Sequence, residues 1–190
     1  MKSIIRPALT ILITLAVITG VIYPLLITGL AQVFFPNQAN GSLINQNGQT
    51  VGSELIGQQF DDPKYFWGRL SDTSGNPYNA SASGGSNYSV LNPDLRAQVK
   101  DRIADLKAAD PNNNQPIPVD LITASGSGLD PNISVAAAEY QAARIARVRG
   151  LNLDQVNALI QEYTHDRILG IFGEKTVNVL EINLALDALQ

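Results

Sequence analysis

The chain contains no cysteine, which excludes disulfides, thiolate nucleophiles and cysteine-based metal sites. Histidine is almost as scarce. His165, the only one, stands beside Asp166 at the end of a helical stretch, where a solvated or capping role is expected rather than a ligand or base. Charge is sparse too: 16% of the 190 residues are charged, against about a quarter in ordinary soluble domains. A net charge of −4 gives no pull toward nucleic acid or an anionic lipid surface. No Gly-x-Ser-x-Gly turn is present to present a nucleophile, and "ASGSGLD" at Ala124–Asp130 misses it by spacing. "GEKT" at Gly173–Thr176 has the tail of a phosphate-binding loop, but too short an upstream arm to wrap a phosphate.

The missing charge is concentrated. From Pro7 to Ser53 no residue is charged, and Ala8–Phe35 runs almost without a polar break. Crossing about 30 Å of hydrocarbon takes roughly 20 helical residues, so this run spans a membrane with room for tilt. The hydroxyls of Thr10, Thr14, Thr19 and Thr28 are expected to bond back to helix carbonyls. Pro24 should kink the helix, and Gly20 and Gly29 allow close approach of a neighbour. Lys2 and Arg6 precede the span and the next basic residue is Lys64. The basic flank therefore keeps residues 1–7 in the cytoplasm, with 8–35 as the transmembrane helix and 36–190 exported. Gly29-Leu30-Ala31 has the small-x-small form of a signal cleavage site, but the apolar run far exceeds a signal core of about 7–15 residues, so retention is expected.

The exported part reads as one α+β domain, mainly helical, behind the single span. Asn47-Gly48 between two β-prone runs predicts a hairpin. The aromatic cluster Tyr65, Phe66 and Trp67 predicts a core nucleus or a patch resting on a partner. Asn92-Pro93-Asp94 opens a helix whose apolar stripe is Leu95, Val99, Ile103 and Leu106. "DPNNNQPIP" (Asp110–Pro118) is a loop, and "VDLIT" after it reads as a short buried strand. Ser134 caps a second helix that Gly150 ends, with Arg144, Arg147 and Arg149 near its negative end. Asn152 and Gln155 form a capping pair for a third. Val177–Leu189 reads as a last helix, apolar on two faces and therefore buried.

One stretch raises a separate question. "SASGGSNYS", Ser81–Ser89, sets two glycines among serines. Backbone N–H groups there could form an anion nest, with Ser83 and Ser86 adding hydroxyls. No basic residue lies within it, the nearest being Arg69 and Arg96, so the residues favour a sharp turn over a nucleotide loop.

Four blocks in order, "YFWGRLS", "YNASASGGSNYSVLNPDL", "VDLITASGSGLDPNISVAAAEYQAARIARVRGL" and "VNVLEINLALDAL", resemble the C subunit of the potassium-transporting Kdp P-type ATPase, the KdpC family. The likeness covers nearly the whole chain, with the single N-terminal span. Where the family pattern has Arg-Pro-Ser, this chain has Arg69-Leu70-Ser71. The resemblance implies a bacterial inner-membrane complex for ATP-driven potassium uptake. Its channel-like A subunit carries the ion filter, its B subunit hydrolyses ATP and a small F subunit stabilises it. This chain has no Asp-Lys-Thr-Gly-Thr phosphorylation motif, so it is expected to be accessory rather than catalytic, with no metal or catalytic residues of its own. The family's C subunit is needed for assembly. It has also been assigned a catalytic-chaperone role, raising the ATP affinity of the B subunit. On that reading ATP is the ligand, and the nucleotide loop maps to Ser83, Gly84, Gly85 and Ser86. The charge flanks oppose it, because they put the loop outside while ATP is cytoplasmic. We therefore expect the exported domain to pack over the outer face of the A subunit, along the route of potassium to the filter.

Overall fold

The computed structural model describes residues 2–189. The chain divides into two compact units, with the boundary between Leu43 and Ile44.

The first unit is a long helix. It begins as α1 (Lys2–Val17), passes through a π-helical turn at Ile18–Ile22 and continues as α2 (Tyr23–Phe34), before a short α3 (Pro36–Ala39). Ile4–Phe34 is long and apolar enough to cross a membrane. Its 31 residues rise about 46 Å at 1.5 Å each, more than a hydrocarbon core of about 30 Å. Two of the four threonines show the expected back-bonding: Thr10 Oγ1 donates to Arg6 O at 2.9 Å and Thr19 Oγ1 to Leu15 O at 2.7 Å. Where Pro24 predicts a kink, the helix takes its π turn, and Tyr23 N–H donates to Ile18 O, five residues back. A π turn widens the ladder ahead of a residue that has no N–H and whose ring crowds the carbonyl four back.

The second unit has an α+β architecture. β1 (Leu43–Gln46) and β2 (Gln49–Ser53) form the expected hairpin, with Asn47 and Gly48 at φ +52° and +78° in its turn. α4 (Pro93–Ala109) is capped by Asn92, whose side chain accepts from Asp94 N–H. β3 (Asn132–Ser134) leads into α5 (Val135–Arg149), followed by α6 (Leu153–Glu162), β4 (Thr164–His165), β5 (Thr176–Asn178) and α7 (Val179–Ala188). β5 lies between β3 and β4, antiparallel to both, with Ile133 opposite Val177 and Thr164 also opposite Val177. The core gathers Phe66, Leu121, Ile133, Ala138, Ile145, Val156, Val177, Ile182 and Leu186, all buried. The caps behave as their residues dictate. Ser134 Oγ accepts from Ala137 N–H, Gly150 ends α5 at φ +66°, and Asn152 with Gln155 completes a capping box.

Three expectations need correction. "VDLIT" is buried at Leu121 but forms a 3-10 turn, Val119–Leu121, rather than a strand. Pro118 opens that turn, and the Asp120 carboxylate accepts from Ser134 N–H and Oγ. The last helix begins only at Val179, because Thr176–Asn178 pairs as β5 and Asn178 caps α7. On α4, Leu106 is buried, but so is Arg102, while Leu95, Val99 and Ile103 are half-buried. Arg102 is tolerated inside because it donates to Leu121 O and Gly68 O and lies over the Trp67 ring.

Candidate functional site

The aromatic segment is the first feature the fold must accommodate. Residues 65–68 run through the core without regular secondary structure, yet Phe66 and Trp67 are buried. Buried backbone polar groups need partners, and here side chains supply them. Phe66 N–H donates to Asn183 Oδ1 at 2.8 Å, and Asn183 Nδ2 returns a bond to Phe66 O at 3.0 Å. Gln141 treats Trp67 in the same way, at 2.8 and 3.1 Å. Arg144 donates to Pro63 O and Tyr65 O and lies 4.8 Å from the Trp67 ring centre. Arg149 reaches Lys64 O and Asp187, and Arg147 pairs with the buried Asp110 at 2.9 Å. The sequence places these arginines at the negative end of α5; Arg144 and Arg149 in fact clamp the aromatic segment. Burial lowers the Arg144 pKa to about 10.

The serine-glycine loop lies on a second glycine-serine segment. A 3-10 turn at Ala80–Ala82, capped by Asn79, delivers the chain to Ser83. Ser83 Oγ and Gly84 N–H both donate to Ser127 O, at 3.1 and 2.9 Å. A Cβ on Gly85 would stand 2.9 Å from Gly126 O, and one on Gly128 would stand 2.7 Å from Gly84 O. The glycines therefore let two backbones touch. Ser86, the fourth residue of the loop, is half-buried.

The seam continues behind the loop. Ser71 Oγ donates to Gly128 O at 2.6 Å, and Ser125 N–H donates to Leu70 O at 3.1 Å. Leu70 contributes its carbonyl here, an acceptor that a proline at this position would keep. Arg69, the nearest base in sequence, pairs with Asp130 at 3.1 Å and donates to Ala124 O. Tyr78 fills a slot made by two glycines: a Cβ on Gly57 would stand 2.3 Å from its ring and one on Gly68 2.7 Å from its hydroxyl. That hydroxyl donates to Arg69 O at 2.6 Å, and burial pushes its pKa up to about 12.

Chemically, this arrangement binds backbone to backbone. Two of the loop's donors are spent on Ser127 O, and Arg69 is committed to Asp130. His165 lies on β4 rather than at a helix end, exposed and 3.1 Å from Glu181. Among the described residues no group of three His, Asp or Glu side chains could hold a metal ion. What sequence reading misses is the partner of each conspicuous motif: Ser125–Gly128 for the loop, and Gln141 with Asn183 for the aromatics. The first has a compositional signal, the repeated glycine and serine of "SGSG". The second has only polar residues on core-facing positions of otherwise apolar helices.

The family model for the K+-transporting ATPase c chain, KdpC, matches residues 5–188. This chain belongs to the KdpC family. It is 60% identical over 190 residues to the potassium-transporting ATPase KdpC subunit of Herpetosiphon aurantiacus, covering 100% of this chain and 98% of that one. It is 60% identical over 188 residues to that of Variovorax paradoxus, covering 99% and 97%. With the KdpC subunit of Methylococcus capsulatus the figure is 58% over 185 residues, 97% of each chain. As a KdpC-family chain it is a subunit of a K+-transporting ATPase, and its apolar N-terminal helix fits a membrane-anchored subunit.

Proposed function

We propose that this chain is an accessory, non-catalytic subunit of an ATP-driven potassium uptake complex in the bacterial inner membrane. Its N-terminus is cytoplasmic and residues 36–190 are extracytoplasmic. It assembles with the channel-like A subunit, the ATP-hydrolysing B subunit and the small F subunit. Its domain covers the outer face of the A subunit, where potassium approaches the filter.

The observation that carries this reading is the seam between Ser83–Ser86 and Ser125–Gly128. Gly84 N–H and the Ser83 hydroxyl, two of the donors an anion nest at this loop would use, bond Ser127 O instead. The basic flank of Lys2 and Arg6 supports the orientation, and the lack of a phosphorylation motif supports a non-catalytic role. The other reading, a catalytic chaperone that contacts ATP through Ser83, Gly84, Gly85 and Ser86, requires the seam to open and the loop to face the cytoplasm.

Two experiments on the assembled complex test the proposal. Deleting residues 8–35 should abolish co-purification with the pump; full assembly of the truncated chain contradicts a part for this helix in assembly. Photolabelling with an ATP analogue should mark the B subunit and leave this chain unlabelled. Label on this chain that disappears in Gly84→Ala/Gly85→Ala favours the chaperone reading.

A further inference from the structure

Between β4 and β5 the chain turns back on itself in a small hairpin with an apolar tip. Ile168, Leu169, Ile171 and Phe172 are 71, 84, 74 and 62% exposed. Large apolar groups scattered singly on a surface need no explanation, but a contiguous group of four at one projecting turn marks an interaction site. The tip is built rather than loose. Ile168 and Phe172 exchange backbone hydrogen bonds of 2.9 and 3.0 Å, and Gly170 N–H donates to Arg167 O at 2.9 Å. At its base Asp166 pairs with Lys175 at 2.7 Å, and Arg167 pairs with Glu174. Leu169 is held at φ +55°, a left-handed conformation in which a Cβ crowds the following carbonyl oxygen. Strain of this kind persists where function uses the shape it creates.

Charge selects between the surfaces that could cover such a tip. Its collar is two complementary ion pairs, with no basic excess. All 17 acidic residues but only 11 of the 13 basic ones follow the apolar helix, so the rest of the chain carries −6. Anchors that enter lipid headgroups draw on surplus Lys or Arg, which neither this collar nor the rest of the exported chain supplies. A preformed apolar turn with a neutral collar instead suits a shaped protein socket, because little ordering entropy is lost on docking.

We propose that residues 168–172 form a wedge that seats in an apolar, uncharged socket on the extramembrane surface of a sister subunit of the pump. This rests on the reading above that the domain packs against another subunit, and it names the element that makes the contact.

The test places a photoreactive benzoylphenylalanine at position 169 in the complete complex, in membranes. The expected result is an adduct with a sister subunit, identified by mass spectrometry. Adding Ile171→Asp and Phe172→Asp should lower its yield about tenfold or more, the scale of losing a buried interface anchor. Co-purification of the substituted chain and its circular dichroism show that the variant still folds. Adducts only with lipid, only with a second copy of this chain, or with nothing, in a complex that purifies intact, overturn the wedge. Failure of the unmodified chain to co-purify with the pump overturns the assembly reading itself.

Discussion

Gln141 and Trp67 bond one another as two strands would: the Trp67 N–H donates to Gln141 Oε1 and Gln141 Nε2 donates to the Trp67 carbonyl. Asn183 repeats the arrangement on Phe66. Side-chain amides thus carry an irregular segment through the core where no neighbouring strand is available. The adjoining carbonyls of Tyr65 and Gly68 are taken by Arg144 and Arg102. Local conformation, packing and charge meet in four residues of backbone.

Replacing Gln141 or Asn183 with leucine leaves a buried N–H and a buried C=O without partners. An unsatisfied buried group costs about 1–3 kcal/mol, so each variant should lose roughly 2–5 kcal/mol in a denaturant titration of the full chain. Because both act on adjacent residues, the double variant should lose less than the sum. A change below about 0.5 kcal/mol, the range of ordinary surface substitutions, contradicts the arrangement.

Gly84 and Gly85 separate a seam from a nest. A Cβ on Gly84 meets nothing nearer than Ala82 O at 4.0 Å, whereas one on Gly85 meets Gly126 O at 2.9 Å and Ser125 O at 3.2 Å. Gly84→Ala should leave the melting temperature nearly unchanged. Gly85→Ala should destabilise by about 1–3 kcal/mol, as overpacking does. Equal effects, or none from Gly85→Ala, contradict the close packing of the two segments.

Tyr78 predicts an alkaline transition. Burial raises its pKa from 10.0 to about 12, so the folded state holds this proton after the unfolded state has released it. The resulting stabilisation is complete below about pH 10 and is lost as pH rises through about 12. Tyr78→Phe lacks the bond to Arg69 O and should be less stable than the parent at pH 8. The gap should narrow between about pH 10 and 12. Arg144, whose depressed pKa acts with the opposite sign over a similar range, is common to both proteins and cancels in the comparison. A gap that stays constant across that range removes the burial explanation.

Much of the fold is legible in the sequence wherever a local signal decides. Asn47-Gly48 dictates positive φ, Ser134 and Asn152 cap helices, and Gly150 stops one, since each effect acts within a turn of chain. The apolar run of the first helix is equally direct. "VDLIT" fails because a short apolar run has no periodicity to separate a strand from a turn, and Pro118 with the distant Ser134 settles it. Thr176–Asn178 fails because strand pairing comes from Ile133 and His165, far away in sequence. The candidate loop was visible by composition. Its partner segment lies 44 residues on, from Ser83 to Ser127, and a single sequence does not announce that pairing.

The side of the membrane on which residues 36–190 lie is the central claim, and the absence of native cysteine makes it directly measurable. Ser89, exposed just beyond the serine-glycine loop, can be changed to cysteine in the complete complex. Intact cells with a permeabilised outer membrane are then treated with a membrane-impermeant maleimide. Labelling of this chain before lysis is the predicted result. Labelling only after the inner membrane is broken would place the loop with cytoplasmic ATP and contradict the account.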